Sequence, residues 1–258
     1  MVVVDIATGH LLAASHLAEA ARTLAAPGST LKPLVLYGLI ASGHWDADRR
    51  IACTRRLNIA GRSLNCSHPL SDPMNARQAL AWSCNTYFAN VAATLHPGEL
   101  LGLFAPTGLL SQTGLASGEA TAELRAPLTS DENQLALLGV DGIRVTPLEL
   151  ALAYRWLAQQ VSAHPDTPAA QVVQAGLEDS ASFGIAGAAS LGGVVVAGKT
   201  GTANVSAGTP SHGWFAGWAP AERPQVLVVV YLPAGHGANA AQVAADLLAH
   251  SPLRQKAP

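Results

Sequence analysis

Gly193-Val194-Val195-Val196-Ala197-Gly198-Lys199-Thr200 matches the pattern G-x-x-x-x-G-K-[ST] of a phosphate-binding loop letter for letter. That loop needs its four inner residues to wrap backbone N–H groups around phosphate, with a helix beginning at the lysine. Here the inner residues are Val194, Val195, Val196 and Ala197, which favour a strand, and Gly201-Thr202-Ala203-Asn204 is a poor helix start. No acidic residue follows a second apolar strand in the required way. The stretch therefore reads as an apolar strand, from Val194 to Ala197, that ends in Lys199-Thr200-Gly201-Thr202.

Outward from that strand the same period continues. Trp214–Trp218 and Val226–Leu232 are β-branched or aromatic runs bounded by Gly and Pro, the mark of buried strands. Asn239–His250 is an amphipathic helix with Ala240, Val243, Ala244, Leu247 and Leu248 on its apolar side. At the other end, Val2–Ile6 and Leu11–Ala14 flank the turn Ala7-Thr8-Gly9-His10 as a hairpin. Between them lies a helical middle. Pro33–Ser42 is apolar almost all round, and Asn75–Leu95 is helical with a polar interruption at Ser83-Cys84-Asn85. Thr146-Pro147-Leu148-Glu149 is a helix start with a cap, a proline at the first position and a capping glutamate. Val161–Ser190 has no readable elements. Strands at both ends around helices predict one sheet built from the two termini, with a functional cleft between sheet and helical insertion.

Composition narrows the function. The chain has 258 residues, 49% hydrophobic and 12% charged, with a net charge of −2, so it is globular and no nucleic acid or anionic surface is its main partner. Of its 15 basic residues only Lys32, Lys199 and Lys256 are lysines, which directs attention to amines able to lose a proton. The apolar run Leu34–Ala41 is far shorter than the roughly 20 residues of a membrane helix, and no signal peptide is visible. Cys53 and Cys66 read equally well as a disulfide or as two free thiols.

Three short segments carry chemistry. Ser29-Thr30-Leu31-Lys32 sets a hydroxyl and an amine on one helix face, and Pro33 fits only a first turn, so the helix starts near Ser29. Ser29 then sits at the positive helix end, and the apolar helix behind Lys32 desolvates its amine into a general base. Ser83 is placed to relay a proton and Asn85 to hold a substrate amide. In the third segment, Lys199 adds positive potential or bonds Ser83, and Thr200 binds a carboxylate. Gly201 leaves room for substrate along the strand, and the N–H of Thr202 joins that of Ser29 as an oxyanion hole. Read singly, each has a plain alternative: a capping serine and surface lysine, or a helix break with local hydrogen bonds.

Taken in this order, the three elements resemble the signature of penicillin-binding proteins and serine β-lactamases. Pro27-Gly28-Ser29-Thr30-Leu31-Lys32-Pro33 is similar to the nucleophile segment of the high-molecular-mass transpeptidases, and Ser83-Cys84-Asn85-Thr86-Tyr87-Phe88 to their second motif. Thr146-Pro147-Leu148-Glu149-Leu150-Ala151 resembles a helix they share. Gly198-Lys199-Thr200-Gly201-Thr202-Ala203, followed by His212-Gly213-Trp214-Phe215-Ala216-Gly217, resembles their third motif and the next strand. The likeness runs from Val2 to about Leu248.

The resemblance implies an α+β fold: an antiparallel sheet from N- and C-terminal strands, flanked by helices, with an inserted helical region. Residues 1–258 are then a single transpeptidase-like domain, its sheet part about 1–28 and 191–258 and its helical part about 29–190. It implies Ser29, Lys32, Ser83 and Lys199 as catalytic residues and Asn85, Thr200, Gly201 and Thr202 as substrate-binding ones, with no cofactor and no metal. Ser29 would be acylated by the D-Ala-D-Ala end of a peptidoglycan stem peptide, or by β-lactams, and the acyl group passed to an amine or to water. The setting would be extracytoplasmic, the chain being part of a longer exported or membrane-anchored protein. The same fold also hosts β-lactamases, esterases and sensors that acylate once. A β-lactamase needs a second base: Glu149 is better explained by its capping box, Asp131 and Glu132 by a solvated turn, and a carbamylated Lys32 stays open. His212 reads as a strand residue with local bonds, and Trp214 and Trp218 as core.

Overall fold

The computed structural model describes residues 1–69, 72–204 and 210–250, so Lys256 lies outside it. Strands β1 (Val2–Asp5) and β2 (Leu11–Ala14) form the N-terminal hairpin and lead through α1 (Leu17–Arg22) to a 3-10 turn at Gly28–Leu31. That turn runs directly into α2 (Lys32–Ala41), with Pro33 in its first turn, where no N–H is missed. A small hairpin, β3 (Asn58–Ile59) and β4 (Arg62–Ser63), precedes α3 (Ala76–Ala81), α4 (Asn85–Ala92) and α5 (Glu99–Phe104). β5 (Glu123–Leu124) pairs with β6 (Ile143–Arg144), with α6 (Ser130–Leu137) between them in the chain. The long helices α7 (Pro147–Ala163) and α8 (Pro168–Ser182) lead to β7 (Ala197–Asn204), β8 (Ser211–Ala219), β9 (Val226–Leu232) and α9 (Gly237–Ala249).

The expected sheet of two termini is present. Its order is β2-β1-β9-β8-β7 and every neighbouring pair is antiparallel, with Val2 opposite Val229 and Lys199 opposite Ala216. Alternation sorts its side chains onto two faces. Val2, Val4, Trp214, Ala216, Trp218, Leu227 and Val229 join the core shared with the helical region. Val3, Phe215, Val228 and Val230 face the other way and are covered by Ala240, Ala241, Ala244 and Leu248 of α9.

Three readings need correction. The third-motif strand begins at Ala197, not Val194, because the pairing with β8 starts there, opposite Trp218; Lys199-Thr200-Gly201-Thr202 is its middle and not its end. Asp131 and Glu132 are not in a solvated turn. They open α6, where the Thr129 side chain accepts from the Glu132 N–H and the Glu132 carboxylate from the Thr129 N–H. The unread span 161–190 is the end of α7, the whole of α8 and a 3-10 turn at Gly187–Ala189, with α8 started by a Thr167 cap with Pro168 at its first position. No helix among the described residues is long and apolar enough to cross a membrane.

Candidate active site

The turn that carries Ser29 is held from four sides. Gly28 donates its N–H to the Gly139 carbonyl at 2.8 Å. Trp214 Nε1 donates to the Ala26 carbonyl at 2.9 Å, the Tyr154 hydroxyl to the Thr30 carbonyl at 2.8 Å, and Thr30 Oγ1 back to Pro27 at 2.9 Å. Gly28 must be glycine: its φ is +57°, and a Cβ there would sit 2.8 Å from both N and O of Thr202. Gly201 also serves this contact. A Cβ on it would run into the Pro27 carbonyl oxygen and crowd Thr30, so its missing side chain first makes room for the turn beside β7. Ser29 itself is half-buried and opens onto a cleft.

Lys32 follows one residue after the 3-10 turn and has no exposed surface. Its Nζ donates to Asn85 Oδ1 at 2.7 Å, to the Ser83 carbonyl at 2.9 Å and to Ser83 Oγ at 3.1 Å. Burial pulls its pKa down to about 7, partly offset by the Cys84 and Cys66 sulfurs nearby. Ser83 lies between α3 and α4 with φ of 55°, a left-handed conformation that costs a serine energy and that concentrates at working sites. Cys84 caps α4, which begins at Asn85. The Asn85 amide is already engaged: Nδ2 donates to the Leu64 carbonyl at 3.0 Å while Oδ1 accepts from Lys32.

On β7, Lys199 is fully buried and donates to the Thr200 carbonyl at 3.0 Å, and not to Ser83. Burial, followed by the positive charge of Lys32, pushes its pKa well below the ordinary lysine value. Thr202 Oγ1 accepts the N–H of Gly237 at 2.9 Å, which ties the strand to α9. Ser29, Ser83, Asn85, Thr200 and Thr202 all line one cleft, with Lys32 and Lys199 buried beneath it. Folding thus brings every residue singled out in the three motifs to one place. Sequence reasoning missed the remaining walls: Ser63–Ser67 from β4 and the chain after it, Leu138 and Val140 from the turn after α6, and Ile185. These lie in irregular segments whose residues show no period.

Glu149 and His212 fall outside the cleft, whereas Cys66 is part of its wall. Glu149 accepts from Thr146 N–H, Thr146 Oγ1 and Ala122 N–H, a structural role at the start of α7. His212 shares a 2.9 Å hydrogen bond with the Tyr231 hydroxyl. Cys53, Cys66 and Cys84 are free thiols.

The family sequence model described as the penicillin-binding protein transpeptidase domain matches residues 1–249. Among solved structures, the transpeptidase domain of Burkholderia pseudomallei penicillin-binding protein 3 superposes with a TM-score of 0.86. It is 22% identical, over 100% of this chain and 88% of that one. A peptidoglycan glycosyltransferase from Burkholderia ambifaria gives 0.85 at 22% identity, over 100% and 89%. Pseudomonas aeruginosa PBP2 in complex with WCK 5153 gives 0.76 at 21%, over 96% and 72%. At these identities the structural likeness speaks for the fold, and the match of the family model over nearly the whole chain speaks for descent. The chain belongs to the penicillin-binding protein transpeptidase domain family.

Proposed function

We propose that residues 1–258 form one D,D-transpeptidase domain, its sheet and helical parts enclosing a single site that acts outside the cytoplasm on peptidoglycan stem peptides through an acyl-Ser29 intermediate. The observation that carries this reading is the buried Lys32 amine, three residues from Ser29 and bonded to both Ser83 and Asn85.

As an ammonium Lys32 satisfies three oxygen acceptors. As a neutral amine it keeps two N–H bonds and gains a lone pair for a hydroxyl proton. Ser29 Oγ attacks the carbonyl carbon of the penultimate D-alanine, and its proton passes to Lys32 Nζ. The developing oxyanion is held by the N–H groups of Ser29 and Thr202, which the Gly28–Thr202 approach keeps close. Collapse breaks the peptide C–N bond, and the leaving amine takes a proton from Lys32 through Ser83. An amine of a second stem then attacks the ester and gives a proton to the neutral Lys32, which returns it to Ser29 Oγ as the ester C–O bond breaks. Asn85 orients the substrate amide with its remaining hydrogen-bonding capacity. Thr200 takes the terminal carboxylate, whose charge would raise the pKa of Lys199 beneath it, so that the positive charge arrives with the substrate. As an edge strand, β7 offers its outer side to an extended peptide.

Labelling with a fluorescent penicillin tests the reading. Intact mass should rise by one penicillin adduct, persist for hours, and stay unchanged in Ser29→Ala. An equal adduct in Ser29→Ala refutes the nucleophile, and loss of the adduct within seconds indicates a β-lactamase instead.

A further inference from the structure

Behind the second motif, folding gathers four side chains that are scattered in the sequence. Cys53, Cys66, His68 and Cys84 each present one ligand atom, and the four atoms lie within 4.8 Å of one another. Cys66 Sγ and Cys84 Sγ are 3.9 Å apart. A tetrahedron with Zn–S bonds of about 2.3 Å has edges of ~3.8 Å.

His68 points to the same chemistry. It is only 2% exposed, and its Nδ1 lies 2.7 Å from the Pro69 carbonyl, which can only accept, so Nδ1 carries the proton. Nε2 is then an unprotonated acceptor, buried and without a hydrogen-bond partner among the described residues. Metal-ligating histidines hold this tautomer, with the other N–H given to a carbonyl. The sulfurs are set up as anionic ligands by backbone donors: Asn85 N–H to Cys66 Sγ at 3.2 Å and Arg55 N–H to Cys53 Sγ at 3.4 Å. Three sulfurs and one imidazole nitrogen suit zinc, and no hard cation such as Mg²⁺ or Ca²⁺.

We propose that Cys53, Cys66, His68 and Cys84 form a closed tetrahedral Zn²⁺ site that clasps residues 53–68, the β3–β4 hairpin and its flanks, to the start of α4. Four protein ligands leave no open position, so the ion takes no part in acyl transfer. Its effect is positional. Cys84 stands between Ser83 and Asn85, and Asn85 also bonds the carbonyl of Leu64 in the clasped segment. The metal therefore holds two motif residues and one wall of the cleft together.

The test uses the intact chain, stripped of metal with a chelator and reductant and then titrated with Co²⁺ followed by Zn²⁺. One Co²⁺ per chain should bind with the thiolate charge-transfer and intense ligand-field absorption of a tetrahedral site, and Zn²⁺ should displace it and raise the unfolding temperature. Cys53→Ser and His68→Asn should each weaken binding at least about tenfold. If these variants do not fold, the wild-type spectrum decides alone. Absence of a tetrahedral Co²⁺ spectrum, binding unaltered in both variants, or a Cys66–Cys84 disulfide in freshly isolated protein each overturns the site. Penicillin acylation should slow on stripping and recover with Zn²⁺. Should no adduct form in either state, the acyl-serine reading fails while the metal spectrum still judges this one.

Discussion

Lys32 is held between opposed demands. Its three oxygen neighbours favour the ammonium, and its complete burial favours the neutral amine. Burial prevails, opposed in part by the Cys84 and Cys66 sulfurs, and the pKa falls to about 7. In the proposed mechanism only the neutral form can take the Ser29 proton, so the penicillin acylation rate should fall tenfold per pH unit below that value and level off above it. A rate constant measured by stopped-flow labelling that is flat between about pH 5 and 9 would remove Lys32 from the role of base. The Ser29–Lys32 pair was legible because helical spacing and Pro33 fix where the helix begins. The left-handed backbone of Ser83 was not, since a serine carries no mark of a φ of 55° imposed by the junction of two helices. Gly201 was legible as a place where a side chain is forbidden, but its neighbour in that space, Pro27, comes from far away in sequence.

At the scale of elements, the start of α7 joins two segments. Both Glu149 oxygens accept, one from Thr146 and the other from the Ala122 N–H, so the helix start also holds the chain ahead of β5. Glu149→Gln places an amide donor against one of these donors and should cost about 1–3 kcal/mol of stability. The lifetime of the penicillin adduct should not change, whereas a deacylating base at this position would lengthen it; a denaturant melt and an adduct time course check both. This helix start was readable because cap, proline and glutamate coincide. The same cap-and-glutamate spacing at Thr129 and Glu132 was overlooked, as the first turn of α6 is so polar that it mimics a loop. On β7 the apolar run misled in the opposite direction. Val195 is 56% exposed, and the strand is decided by pairing with β8 and not by hydrophobicity.

For the whole molecule, the sheet needs covering on both faces. Removing α9 (Gly237–Ala249) would uncover Phe215, Val228 and Val230. At about 1.5–3 kcal/mol for each buried side chain, the loss rivals the roughly 5–15 kcal/mol stability of an entire domain. A chain ending at residue 236 should therefore lose its cooperative thermal transition in circular dichroism. Retention of the full-length unfolding temperature would show the helix to be dispensable. The gross plan was legible because both termini carry short apolar runs bounded by turn residues and the middle carries helical spacing. The cleft wall from residues 53–68 was invisible, because it is placed by contacts to α4 and not by any pattern of its own.

The adjacency of β1 and β9 also has a meaning in time. A chain delivered from its N-terminus, by a ribosome or through a membrane pore, presents Ser29 and Lys32 early. The strand bearing Lys199 and the β9 partner of the first strand come near the end. Until then β1 has only β2 beside it, and the turn at Ser29 lacks the Thr202 backbone against which it packs. The proposed nucleophile is therefore present long before its surroundings are complete, and a half-delivered chain should take up no penicillin.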